Sequence, residues 1–331
     1  MSKQVVITGA MGFVGSHTAK VFKEAGYHVI GIDWEATIPN ASRYLDAWIK
    51  NDFVNTITVA TKQDTPIIHC AGTSLVGPSM FDPGTYYNNN SSKTNDALDK
   101  LTKAGWKGTF VFSSSAATYG VPDNPQNIRE VSTQRPISPY GWSKLFCEQI
   151  INDHCWANRH MRGIALRYFN ACGCDPDGTL GHTVKDTHLI PRILSAYQNG
   201  VPFTMYGNDY ATPDGTCIRD YLHVMDIAQA HLAAVELGDR VDAGSFHAYN
   251  LGTGYGISNN VVLEACSDIV GQPIEHVFVG RRVGDPDALV ANADRFKADT
   301  GWFPQNSDIG TIVKTTWLWQ KNLPLLVDLA T

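Results

Sequence analysis

Tyr140 and Lys144 are the residues whose types and spacing most directly suggest chemistry in this sequence. They are four residues apart, so on a helix they share one face. A lysine ammonium stabilises a phenolate, and such a phenolate can take a proton from a hydroxyl group and return it. Ser115, which ends the run 112–115, adds a hydroxyl that can share the hydrogen bond of a substrate. A Tyr–Lys pair alone often occurs by chance, and the prediction of a proton-transfer site depends on the motifs around it.

A glycine-rich loop precedes this pair in the chain. Its glycines are spaced three and three: Gly9, Gly12 and Gly15. The loop lies between an apolar run at 5–8 and an amphipathic stretch at 16–25, a context that predicts a pyrophosphate at a helix N-terminus. Asp33 ends the next apolar run and can accept hydrogen bonds from ribose hydroxyls. Asp33 and Glu35 would repel a 2′-phosphate, so we expect NAD rather than NADP.

The elements that must position these residues alternate regularly in the first half of the chain. Short apolar runs, most of them followed by helix-like stretches, occur at 5–8, 28–33, 66–70, 109–113 and 164–168. This alternation predicts βαβ units and a parallel sheet covered on both faces. Ser138 and Pro139 predict the start of a helix over about 140–158. The predicted fold class is α/β: a doubly wound parallel sheet (Rossmann type) in residues 1–170, with a smaller mixed α/β substrate lobe, interleaved with it, in residues 171–331.

The composition excludes several classes of protein. The chain has 331 residues, 43% of them hydrophobic and 18% charged, with a net charge of −6. These values are typical of a globular protein and argue against a basic nucleic-acid-binding surface. No apolar run approaches the length of a membrane span. The first strand-like run begins at Lys3, which leaves no room for a signal peptide. Seven cysteines do not suggest a disulfide framework, and the close pair Cys172 and Cys174 does not suggest a metal site, so we expect a cytoplasmic protein without a metal.

The glycine spacing, the Tyr–Lys pair and the serine-bearing strand together resemble the short-chain dehydrogenase/reductase superfamily. By this resemblance Asp52 meets the adenine amino group, and the segment 70–72 packs along the cofactor. The resemblance implies that the cofactor-binding residues are Gly9, Gly12, Phe13, Val14, Gly15, Asp33, Trp34, Asp52, Phe53, Cys70, Ala71, Gly72, Asn90, Ser113, Tyr140, Lys144 and Tyr168.

Longer blocks resemble the UDP-glucose (UDP-galactose) 4-epimerases, an extended branch of that superfamily. The blocks are 112–120, 138–144, 166–170, 206–224 and 249–254. The family inverts C4 of a UDP-hexose through a 4-keto sugar with resident NAD, and the catalytic residues implied here are Ser115, Tyr140 and Lys144. The resemblance also implies a homodimer that pairs helices near residues 90–104 and 140–158.

The same resemblance implies which residues bind the UDP-sugar. Tyr206 stacks on the uracil, Arg219 and Arg282 neutralise the diphosphate, and Asp285 holds a ribose hydroxyl. Two arginines suit a diphosphate, and a tyrosine face suits a planar base. The full implied set is Ser115, Tyr140, Asn170, His188, Leu189, Tyr206, Arg219, Arg282, Asp285 and Leu289.

Some positions depart from the family pattern and leave alternatives open. Ser74 replaces a lysine that lies near the cofactor, so NAD retention can be weaker, and His188 replaces an asparagine. Leu289 occupies the position that limits room for an N-acetyl group, which keeps a UDP-pentose or UDP-N-acetylhexosamine 4-epimerase as an alternative. A sugar-nucleotide dehydratase would need an acid and a base where the chain has Ala116 and Ala117. An NAD-binding regulator without turnover is the alternative from a different class.

Overall fold

The computed structural model describes residues 3–38, 40–182, 188–282 and 285–328. The strands are β1 Gln4–Thr8, β2 His28–Asp33, β3 Ala47–Lys50, β4 Ile67–His69, β5 Thr109–Ser115, β6 Arg162–Tyr168, β7 Asn170–Cys172, β8 Phe203–Tyr206, β9 Ile218–Arg219, β10 Tyr221–His223, β11 Phe246–Leu251, β12 Ile257–Ser258, β13 His276–Val279 and β14 Ala288–Leu289. The α-helices are α1 Phe13–Glu24, α2 Phe53–Ala60, α3 Val76–Ser79, α4 Pro83–Tyr86, α5 Lys93–Lys103, α6 Pro139–Ala157, α7 Leu189–Gln198, α8 Val224–Gly238, α9 Asn259–Val270, α10 Asp294–Thr300 and α11 Ile309–Asp328.

The central sheet confirms the predicted doubly wound fold. Its seven strands run in the order β11-β6-β5-β4-β1-β2-β3, and every neighbouring pair is parallel. The strand order reverses between β1 and β4, which is the point where open parallel sheets bind ligands beyond the carboxyl ends of their strands. The glycine loop after β1 and the segment 70–72 after β4 meet at this point.

Apolar residues of both sheet faces pack under helices, as parallel strands with β-branched runs require. One buried cluster joins Val5 and Ile7 of β1 to Phe22 of α1 and to α8. The other joins Val6 of β1 to α2, α5 and α6, and includes Ile151. Alternate residues of one strand thus enter opposite clusters, and the sheet is covered on both faces.

Residues after β6 form both a second lobe and part of the sheet. Three small sheets, β10-β7, β12-β9-β14 and β13-β8, lie in this half of the chain, and α7, α9 and α11 pack together there. β11 nevertheless pairs with β6 along 246–251, and α8 packs on α1. The chain therefore returns to the first lobe before it ends. Among the helices that the structure describes, none is long and apolar enough to span a membrane.

Candidate active site

The glycine loop turns tightly between β1 and α1. Gly9 has φ +68°, and a Cβ there would lie 2.6 Å from the backbone nitrogen of Ala71. A Cβ on Gly15 would collide with the carbonyl of Gly9. Gly12 is the N-cap residue of α1 and has no side chain to cap it, so the first N–H groups of the helix face the cavity at this end. A phosphate fits this arrangement, because helix N-termini attract anions.

Asp33 lies at the end of β2, as predicted, and is held by backbone donors. Its carboxylate accepts hydrogen bonds from Met11 N and Trp34 N, both at 2.9 Å. Burial raises the pKa of Asp33, and these backbone donors counteract the shift. A fixed carboxylate at this place can accept hydrogen bonds from ribose hydroxyls.

Two adjoining cavities follow the edge of the sheet, with volumes of about 490 Å³ and 190 Å³. Both are lined by Gly9, Gly12, Cys70 and Gly72. The first cavity is also lined by the predicted site residues Phe13, Val14, Gly15, Ser115, Tyr140, Lys144, Tyr168, Asn170, His188, Leu189, Tyr206, Arg219, Arg282 and Asp285. The second is also lined by the predicted residues Asp33, Trp34, Asp52, Phe53 and Ala71.

The predicted proton-transfer residues share the first cavity. Ser138 caps α6 by accepting a hydrogen bond from Gly141 N at 3.1 Å. Tyr140 and Lys144 lie one turn apart on this helix, because four residues separate them. Lys144 Nζ donates to the backbone oxygen of Ser113 at 2.8 Å and lies 5.9 Å from the centroid of the Tyr140 ring. Ser115 Oγ accepts a hydrogen bond from the backbone N–H of Ala117 at 3.1 Å, so its own hydrogen can be donated to a ligand.

Asn90 lies behind the cavities rather than in their walls. Only 2% of its surface is exposed. Its amide oxygen accepts from Thr73 N at 2.8 Å, and its amide nitrogen donates to Ser143 Oγ at 2.8 Å. These bonds fix the segment after β4 against α6. Asn89, its neighbour in sequence, lines the second cavity instead.

Ser113 is also a supporting residue. Its hydroxyl lies 3.1 Å from His231 Nε2 and 3.2 Å from Cys70 Sγ. His231 Nδ1 lies 2.9 Å from the carbonyl of Ile227, which can only accept, so Nε2 is the accepting nitrogen for the serine. Burial lowers the pKa of His231 to about 4 and raises that of Cys70 to about 11. Both groups are therefore neutral near pH 7, and the Cys70 thiol is a wall of the site rather than a nucleophile.

Leu289 does not line either cavity. It pairs with Arg219 through β14 and β9, and its side chain packs against a buried cluster that contains Ala116 and Phe169. Phe169 lines the first cavity, so Leu289 is connected to the cavity wall through this cluster.

The second lobe supplies cations and aromatic rings to the wall of the first cavity. Arg219 is 8% exposed, and its Nη2 donates to Asp285 Oδ1 at 2.8 Å. The guanidinium of Arg282 lies 4.3 Å from the centroid of the Tyr206 ring. The guanidinium of Arg192 lies 5.8 Å from the same centroid. A nucleoside diphosphate matches this group of side chains chemically, because guanidinium groups bind phosphate and an aromatic ring stacks on a base.

Arg192, Asn89 and Lys93 are among the lining residues that sequence reasoning missed. Arg192 follows the predicted Leu189 by three residues on α7, so both reach the same cavity. Helical spacing from Leu189 could have found Arg192. Lys93 begins α5, where nothing in the local pattern distinguishes it from a surface lysine.

A buried ion pair fastens α6 to the strands beneath the predicted proton-transfer residues. Arg167 donates to Glu148 from Nε at 2.9 Å and from Nη2 at 2.6 Å, and the two residues are 5% and 3% exposed. Ser114 Oγ donates to the same carboxylate at 2.5 Å. Arg167 Nη1 donates to the hydroxyl of Tyr119, whose pKa burial raises to about 12. The network joins Glu148, one turn beyond Lys144 on α6, to the strands that carry Ser115 and Tyr168.

Comparison with known proteins identifies the relatives of this chain. The model of the NAD dependent epimerase/dehydratase family matches residues 5–252. The UDP-glucose 4-epimerase of Lacticaseibacillus casei is 37% identical, with 97% of each chain covered. A UDP-glucose 4-epimerase from Brucella ovis, solved in complex with NAD, matches with TM-score 0.87 and 38% identity over 96% of this chain and 98% of that one. Another from Bifidobacterium longum, solved with NAD+ and UDP, matches with TM-score 0.88 and 32% identity over 97% and 99%. The chain therefore belongs to the NAD dependent epimerase/dehydratase family.

Proposed function

We propose that the protein is a UDP-hexose 4-epimerase that interconverts UDP-galactose and UDP-glucose with bound NAD. One observation carries the proposal. A single cavity is lined by Tyr140 and Lys144, by Arg219 and Arg282, and by the glycine loop. Curated UDP-glucose 4-epimerases that are similar over nearly the whole chain support it.

The residues of this chain handle the proton and hold the sugar. Bound NAD supplies a hydride acceptor and donor at its nicotinamide ring. Tyr140 takes the proton of the sugar's 4-hydroxyl and returns it, and the ammonium of Lys144 stabilises the phenolate between these events. Ser115 donates a hydrogen bond to the same sugar oxygen. For inversion at C4 the flat keto sugar must rotate so that its opposite face meets the hydride donor. Loose sugar contacts therefore serve the reaction better than tight ones.

Strong binding at the nucleotide end complements these loose contacts. Arg219 is held in place by Asp285, and Arg282 reaches the cavity from the segment before β14. Arg192 adds a third guanidinium near Tyr206. We assign the diphosphate to these arginines and the uracil to the neighbourhood of Tyr206. The nucleotide then stays bound while the sugar rotates.

The test is an assay of purified protein with UDP-galactose, with UDP-glucose measured as product. Tyr140→Phe removes the hydroxyl and should lower turnover by about 10²-fold or more, the scale of lost acid–base catalysis. Tyr86→Phe is a matched control, because its ring contacts that of Tyr140 with centroids 6.4 Å apart and its hydroxyl donates to the Leu75 carbonyl. Near-normal turnover of Tyr140→Phe, with UDP binding retained, would contradict the assignment.

A UDP-N-acetylhexosamine is the second candidate substrate. The observation that favours it is the position of Leu289 outside the cavity lining. Leu289 therefore limits the room for an N-acetyl group less directly than the sequence predicts. Comparing turnover of UDP-galactose with that of UDP-N-acetylgalactosamine decides between them. A dehydratase is disfavoured, because Ala116 and Ala117 follow Ser115 and offer no acid or base.

The proposal includes a homodimer in the cytoplasm. α5 and α6 pack side by side, and α6 exposes Trp142, Phe146 and Trp156 by 38%, 43% and 68%. A second copy that covers this face would bury these rings. Sedimentation at micromolar concentration should show a dimer that Phe146→Glu dissociates and Phe303→Glu, an exposed site elsewhere, does not. A monomer in the unsubstituted protein would overturn the proposed homodimer.

All seven cysteines are free, which fits the reducing compartment that the proposal assigns to the protein.

A further inference from the structure

Three side chains from separate segments meet at the rim of the second cavity. Trp34 follows β2, Asp52 precedes α2, and Lys93 is the first residue of α5. Lys93 Nζ lies 2.8 Å from Asp52 Oδ2 and 4.8 Å from the centroid of the Trp34 ring. All three residues line the cavity, yet the side chains of Lys93 and Asp52 are 22% and 23% exposed and Trp34 is 55% exposed. Residues that line a cavity and also face solvent form its rim.

The two oxygens of Asp52 have separate partners. Oδ1 accepts from the backbone N–H of Val54 at 3.0 Å and caps α2, while Oδ2 accepts from Lys93. The cap alone explains an aspartate at this position, so the contact with Lys93 is additional. Trp34 is outside the buried clusters, and more than half of its surface is exposed. Core packing therefore does not explain why a large ring and a long cation are ordered here.

We propose that Trp34, Asp52 and Lys93 form a clasp over the adenosine end of the bound dinucleotide, and that Lys93 controls how fast the cofactor leaves. This rests on the proposed binding of NAD along the two cavities. Asp33, which can hold the ribose, lines the same cavity as the clasp. The contacts of Lys93 link the segment after β2 and the start of α2 to the start of α5, and in this proposal they separate before the cofactor leaves. A cation over an indole ring is the most favourable pair of its kind.

Exchange of bound NAD measures the clasp without any turnover. Protein purified with its NAD is mixed with an excess of isotope-labelled NAD, and the nucleotide that stays with the protein is identified by mass spectrometry over time. Lys93→Met keeps the length of the side chain and removes its charge, and it should accelerate exchange about fivefold or more. Trp34→Ala should do the same. The double variant should exceed either single variant by less than twofold, because both remove one shared contact.

Two controls separate the clasp from general effects on the helix. Lys103→Met breaks an exposed ion pair with Asp99 at the other end of α5 and should leave exchange within twofold of the unsubstituted protein. Lys93→Arg keeps the cation and should also leave exchange within twofold of the unsubstituted protein. Exchange in Lys93→Met that is within twofold of the unsubstituted protein, or no faster than in Lys103→Met, overturns the proposal.

The salt dependence of exchange tests the clasp with the chain unaltered. Both contacts of Lys93 are partly exposed and weaken when ions screen them. Raising the salt from roughly 0.05 M to 1 M should accelerate exchange about threefold in the unsubstituted protein and have less effect in Lys93→Met. Equal salt effects in the two proteins contradict the proposal. Sugar nucleotide is absent throughout, so failure of the clasp leaves the proposed epimerisation untouched, and failure of epimerisation leaves NAD exchange measurable.

Discussion

Removing Arg167 should destabilise the protein more than removing any exposed cation. In Arg167→Met the Glu148 carboxylate stays buried, loses two charged donors and keeps Ser114 as its remaining donor. Breaking a buried ion pair by removing one partner costs about 3–5 kcal/mol. The entropy of unfolding is about 2.1 cal/mol/K per residue, or about 0.7 kcal/mol/K for 331 residues. We therefore expect the melting temperature to fall by about 4–7 °C.

The assay is calorimetry at pH 7.5 with matched variants. Lys103→Met, which breaks an exposed pair, should shift the melting temperature by less than about 1 °C. The double variant Glu148→Leu/Arg167→Met removes both charges and should recover at least half of the loss, because replacing a buried pair by apolar residues is often neutral. If Arg167→Met melts within about 1 °C of the unsubstituted protein, or the double variant loses as much as the two single variants added, the uncompensated charge is not the cause.

Three further predictions concern the cofactor, the substrate and pH. Denatured protein should release NAD(H), because Asp33 repels a 2′-phosphate; recovery of mainly NADP(H) would contradict this. UDP-galactose should turn over about 10- to 100-fold faster than UDP-N-acetylgalactosamine, the cost of overpacking by about 1–3 kcal/mol, and Leu289→Ala should narrow the gap by loosening the cluster that contains Phe169; equal rates in the unsubstituted protein would refute the preference. Burial lowers the pKa of His69 to about 3 and that of His231 to about 4, so below pH 6.5 the unfolded state binds protons that the folded state does not. Each histidine should therefore remove about 1.4 kcal/mol of stability per pH unit as pH falls from about 6.5 towards 4, measured by denaturant unfolding, and His231→Gln should flatten that slope.

The sequence alone determined the framework of the site. The glycine loop, Asp33 and the Tyr140–Lys144 pair are each defined by residues near one another in the chain, and strand–helix alternation predicts the sheet that orders them. The predicted doubly wound fold and the predicted NAD cofactor are confirmed. Spacings of three and four residues carry this information, because helix and strand periodicity is set by the local backbone.

Tertiary structure decided which distant residues meet around the site and beneath it. Lys93 meets Trp34 across 59 residues of sequence, and Arg167 meets Glu148 because β6 lies beside β5 beneath α6. Asn89 and Asn90 lie in the π-helical segment Tyr87–Ser92 between α4 and α5, and its winding decides which of them lines the cavity. Leu289 joins the cluster that contains Phe169, and β14, which carries Leu289, pairs with β9. Such contacts depend on how elements pack, and a packed pair of distant side chains leaves no periodic signal in either segment. The residues that carry the chemistry can therefore be predicted from the sequence. The rim of the second cavity and the buried network beneath the site follow only from packing.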